Sequence, residues 1–130
     1  MEELLPVHPE GWAEVQENEV GMKYRGADQT VIARYTYSKL EPSHLELIER
    51  LPGSVWDADP TSFHHVGYWV PDLMAASEQL EARGYTREAL GGPTELDEPI
   101  FTYHLSQSGA RVELVSETFE AGLIAWLRGE

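Results

Sequence analysis

The sequence predicts an α+β domain on three observations: strand-like runs recur along the chain, an amphipathic helix interrupts them, and two of the hairpins read alike. At 130 residues and 42% apolar content the chain suits one domain with a real core, expected to span 1–130. Within it, 1–50 reads as a first, shortened module, 51–61 as a connector, 62–116 as a complete second module and 117–130 as a closing helix.

Taken in order, residues 1–20 hold Pro6, Pro9 and Gly11 with little periodicity, which predicts an irregular arm with a short strand around Trp12 to Gln16. The run TVIARYTYS, ending at Ser38, is rich in β-branched and aromatic residues, and SHLELIE at 43–49 alternates apolar with polar; together they predict a hairpin joined through Lys39 to Pro42. Pro52, Gly53 and Pro60 mark the connector. FHHVGYWV at 63–70 is a strand by composition, with Phe63, His65, Gly67 and Trp69 on one face and His64, Val66, Tyr68 and Val70 on the other. Pro71-Asp72 opens a helix carrying Leu73, Ala76 and Leu80, and Gly84 stops it. A strand at 85–89, a Gly91-Gly92-Pro93 loop, strands at 100–106 and 111–116 about a Gln107-Ser108-Gly109 turn, and an amphipathic helix from Phe119 to Leu127 complete the chain.

Charge and composition exclude several functions. With 23 acidic against 9 basic residues and a net charge of −14, the chain repels phosphate backbones and anionic lipid heads, so neither nucleic acid nor membrane is an expected partner. The absence of cysteine rules out disulfides, thiolate metal sites and a thiol nucleophile, and agrees with a cytoplasmic location. The first residues lack the basic-then-apolar pattern of a signal peptide, and no apolar run approaches the roughly 20 residues of a membrane helix. No Gly-rich phosphate loop or Ser-His-Asp pattern occurs.

Laid over one another, VIARYTYSKLEPSHLELIE at 31–49 and IFTYHLSQSGARVELVSE at 100–117 both read strand, turn, strand and end on an [HR]-[LV]-E-L-[IV] core, which points to a duplication. The second copy is complete as strand, helix and three strands. An opening strand standing as far ahead of Glu46 as His65 stands ahead of Glu113 would fall before Met1, so the first copy is expected to lack its opening strand and helix.

The segment FHHVGYWVPDLMAASEQLEARGY resembles the opening of a vicinal oxygen chelate module of the glyoxalase/bleomycin-resistance/dioxygenase type, and GARVELVS resembles its last strand with an inward glutamate. The resemblance is good over 62–116, moderate over 28–50 and departs over 1–27; among branches, it is nearest to methylmalonyl-CoA epimerase and glyoxalase. It implies paired βαβββ modules forming an incomplete, cupped mixed β-barrel, with a divalent metal commonly held by the first and last strands of both modules. Carried over, His65 and Glu113 match ligand positions of the second module and Glu46 that of the first; the fourth ligand has no counterpart.

Such a set would suit Zn, Mn, Co, Ni or Fe(II). The competing reading makes His65 a hydrogen-bonded strand histidine and the glutamates the lining of a metal-free polar pocket. Alternation places His44 on the face of Glu46, and Thr102 with His104 on one face opposite Phe101 and Tyr103. His104 is then a candidate proton carrier, as is Glu113, while His44, Thr102 and Trp69 are candidate substrate contacts. Arg111 shares the face of Glu113, where it pairs with that carboxylate or holds an anionic substrate group. His64 points to the opposite face and reads as structural. The expected function is a metal-dependent isomerase or epimerase, lyase or dioxygenase acting on a small oxygenated molecule, as a homodimer in which the partner, or the 1–20 arm, covers the open sheet edge between the modules. The alternatives are a metal-free protein that sequesters an aromatic or cationic compound, and a degenerate subunit or regulatory partner.

Overall fold

The computed structural model describes residues 11–39, 44–57 and 63–127. Strands β1 (Gln16–Tyr24), β2 (Ala27–Tyr37) and β3 (Glu46–Ile48) come from the first half of the chain. Strands β4 (Val66–Val70), β5 (Thr86–Pro93), β6 (Phe101–Leu105) and β7 (Arg111–Ser116) come from the second, with helix α1 (Leu73–Ala82) between β4 and β5. A 3-10 turn at Glu117–Phe119 leads into helix α2 (Glu120–Leu127). Among the described residues the seven strands belong to one mixed sheet in the order β3-β2-β1-β5-β6-β7-β4, curled into a half-barrel. Only β4 and β7 run parallel; every other neighbouring pair is antiparallel. The second half therefore has the expected strand-helix-three-strand plan. The first contributes three strands and no helix among the described residues.

Local chemistry explains the punctuation. Asp72 caps α1 by accepting the Ala75 N–H at 3.1 Å, and Gly84 ends it at φ +93°, where a side chain would strain the backbone. The helix buries Leu73 and Ser77 against the outer face of β5 to β7. Between β1 and β2 the loop is only Arg25-Gly26, with φ of 51° and 85°, the pattern of a tight turn whose twist matches the strands it joins.

Two expectations are corrected here. The region read as an irregular arm, 1–20, with its short strand at Trp12 to Gln16, instead runs into β1 from Gln16, while 1–10 lie outside the described residues. Val20, Met22 and Tyr24 do alternate inward along β1, but Glu17, Glu19, Gly21 and Lys23 between them mask the signal. The Gly91-Gly92-Pro93 loop is strand as well, because β5 continues through it to pair with β1 and so joins the two halves of the sheet. A Cβ on Gly91 would stand 2.6 Å from Met22 Cβ and closer still to the Gly21 carbonyl oxygen, so only glycine permits this approach.

The inner face carries the core: Val20, Met22, Ala33, Ala89, Phe101 and Tyr103, closed by Val55 and Trp56 from the connector. At the β2 side Trp126 of α2 meets the rings of Tyr35 and Tyr37 edge-on, at 6.2 and 5.9 Å between centroids.

Candidate metal centre

Curling of the sheet brings its two outer strands toward one another, and the charged residues of the inner face meet there. His65, immediately before β4, places Nε2 3.2 Å from Glu46 Oε2 on β3 and 3.3 Å from Glu113 Oε1 on β7. One ligand atom from each of the three lies within 4.8 Å of the others. Their side chains are 10–17% exposed. Gly67 helps to make the room: it pairs with Glu113 in the parallel ladder, and a Cβ there would come within 3.3 Å of Glu113 Oε1.

Each glutamate has a tyrosine directly across its hairpin. Tyr37 pairs with Glu46 in register and donates its hydroxyl to Oε1 at 3.1 Å; Tyr103 stands opposite Glu113 in register on the neighbouring strand. The two hairpins thus repeat one Tyr-opposite-Glu device, the structural counterpart of the sequence repeat. Trp56 Nε1–H donates to the Tyr103 hydroxyl at 3.0 Å, which fixes that ring in the core. Sequence reasoning passed over both tyrosines.

Burial on its own favours neutral His65, yet hydrogen bonds and charge from Glu113 and Glu46 outweigh it and push the pKa up to about 9. Burial raises the Glu113 carboxyl, and the neighbouring Glu46 charge adds to this against the pull of His65 and Tyr103. Burial also sends the Tyr37 and Tyr103 hydroxyls well above 10, so both remain donors across the physiological range.

A profile of the Glyoxalase/Bleomycin resistance protein/Dioxygenase superfamily matches residues 11–103. The chain belongs to that superfamily. The match begins ahead of β1, so the superfamily pattern extends into the 1–27 stretch, which corrects the departure expected there. It includes Glu46 and His65 and ends before Glu113. No match was found among curated proteins or among solved structures.

The other candidate residues lie apart from the cluster. His104 is fully buried on the outer face of β6, bonded to the Ser77 hydroxyl of α1 at 2.9 Å and to Thr102 at 3.3 Å; neither His104 nor Thr102 reaches the inner face, as alternation from Tyr103 requires. His104 therefore does not stand where a proton carrier for the cluster would. His44 precedes β3 instead of lying in it, and its Nδ1–H donates to the Ser38 carbonyl at 2.7 Å. Arg111 pairs with Glu88 at 2.7 Å, not with Glu113. The reason is a bulge between Arg87 and Ala89 that turns Glu88 toward Arg111, with Arg25 closing on it from the other side at 3.3 Å. Although burial opposes it, these arginines hold the Glu88 carboxyl below the usual range. Trp69 is about a third exposed and, two residues from Gly67, shares its face. A depression of about 520 Å³ opens over the β1–β5 junction, between Gly21, Gly91 and Gly92 and the acidic Asp28, Asp97 and Glu98, and none of the cluster residues lines it.

Proposed function

We propose that the chain is a divalent-metal-dependent enzyme acting on a small oxygenated organic molecule by isomerisation or epimerisation, lyase chemistry or ring-opening oxygenation. The observation that supports this reading is the convergence of Glu46, His65 and Glu113 from three separate strands or their ends into a set 4.8 Å across. One imidazole nitrogen and two carboxylates make a borderline-to-hard donor set, which suits Zn, Mn, Co, Ni or Fe(II) and leaves coordination positions open. A divalent ion bound there supplies Lewis acidity toward vicinal substrate oxygens. Tyr37 orients the Glu46 carboxylate, and Glu113 is the group assigned to exchange a proton with substrate. Trp69 offers an exposed ring on the Gly67 face for a flat substrate. A homodimer would cover the outer edges of β3 and β4, which have no neighbouring strand among the described residues; light scattering on the eluting peak tests this.

One observation favours a second reading, a metal-free binder. His65 already satisfies both carboxylates as a cation, so the trio is stable without an ion, and the charge of −14 would draw cationic aromatic compounds. Elemental analysis of protein purified without chelator separates the two. Stoichiometric transition metal that is lost in His65→Ala supports the enzyme; no metal, with tight binding of an aromatic cation, overturns it.

A further inference from the structure

His64 was expected to face away from the cluster and serve only the fold, but 63–65 precede β4 and strand alternation does not bind them. Its ring stands against His65 at 88°, with Nδ1 to Nδ1 at 2.8 Å, and its Nε2 lies 2.8 Å from the Val55 carbonyl oxygen. That carbonyl can only accept, so His64 Nε2 carries a hydrogen. In the neutral ring Nδ1 then has a lone pair, and the hydrogen between the two Nδ1 atoms belongs to His65.

We propose that His64, anchored by Val55, is a positioning residue that holds a hydrogen on His65 Nδ1 and so keeps the Nε2 lone pair as the one His65 can direct at a divalent ion between Glu46 and Glu113. This rests on the metal-centre reading above for its purpose, but the hydrogen-bond chain from the Val55 carbonyl through His64 to His65 stands without the ion. A metal-ligating imidazole generally donates its other N–H to a fixed acceptor, and loss of that acceptor costs about 10- to 100-fold in metal affinity. Here the acceptor is a second imidazole supplied by the preceding residue, with its own orientation fixed by the connector that also delivers Trp56 to the core. The packing of Val55 and Trp56 in the core and the presentation of the ligand nitrogen are thereby linked.

The test has two parts. In metal-free, 15N-labelled full-length protein, a scalar coupling across the hydrogen bond between His64 Nδ1 and His65 Nδ1 is expected, with His64 protonated on Nε2 only. Absence of the coupling, or a hydrogen on His64 Nδ1, overturns the proposal whether or not the protein takes metal. In calorimetric titration with Zn²⁺, His64→Phe should bind about 10- to 100-fold more weakly than wild type. His64→Asn, whose Oδ1 can occupy the place of Nδ1 and accept the same hydrogen, should recover most of the loss. Equal binding by wild type and His64→Phe, or no recovery in a folded His64→Asn, overturns it. If wild type itself binds no Zn²⁺, the metal-centre reading fails while the coupling still decides the role of His64.

Discussion

The charge on His65 should make metal-stripped protein lose stability as the solution becomes alkaline. In the unfolded chain the imidazole titrates near 6.5, while in the fold Glu113 and Glu46 raise it to about 9. A raised folded pKa means that the native state binds the extra proton more tightly. The associated stability is therefore complete below pH 6.5 and is lost as the pH climbs through 9. At about 1.4 kcal/mol per pKa unit, the window from 6.5 to about 9 corresponds to roughly 3 kcal/mol, or on the order of 10 °C in Tm for a chain of this length. The useful quantity is the difference between wild type and His65→Gln, which keeps a donor but no titration. Urea denaturation at intervals of half a pH unit, with chelator present throughout, should show wild type falling steadily relative to the variant. Parallel curves between pH 6.5 and 9 would mean that His65 is not held as a cation between the two carboxylates.

Further outcomes follow from other parts of the molecule. Apparent Zn²⁺ affinity in calorimetry should rise about tenfold per pH unit below 9, since His65 must surrender one proton to the ion, and a flat profile would argue against His65 as a ligand. Gly91→Ala forces a methyl into the β1 backbone at the junction of the two halves and should cost about 2 kcal/mol or more, whereas Gly122→Ala, in α2 with open space around it, should gain about 0.5–1 kcal/mol; thermal melts compare the two. His104→Ala should lower stability by on the order of 3 kcal/mol, by leaving a buried void beside Ser77 and Thr102, while metal affinity stays at the wild-type level.

Much of the architecture was legible in the residues because its signals are local. The β2–β3 and β6–β7 hairpins show in the β-branched and aromatic alternation of their strands, and α1 shows in its Asp72 cap, apolar spacing and Gly84 stop. Failures came where a residue's role is set by a distant neighbour. Gly91 and Gly92 have the composition of a loop, and only the approach of β1 makes them strand. The bulge at Glu88 has no sequence signature, so the partner of Arg111 was misassigned. Tyr37 and Tyr103 sit in plain view in both repeats, but the intervening loops differ by one residue and a straight overlay puts the tyrosines out of step. Glu46, His65 and Glu113 were singled out through the resemblance of their segments to a known module, whereas alternation by itself misplaced His64, which stands outside the regular strand.

A three-point fastening between the far ends of a bent sheet behaves as a clasp. Glu46 hangs from one margin, and His65 with Glu113 from the other, so the curvature of the sheet and the occupancy of the clasp cannot vary independently. Two indoles are wired to its two sides: Trp126 leans on the Tyr37 that grips Glu46, and Trp56 is bonded to the Tyr103 that stands opposite Glu113. Whatever loosens or tightens the fastening should thus be readable in the protein's own fluorescence, without label or substrate.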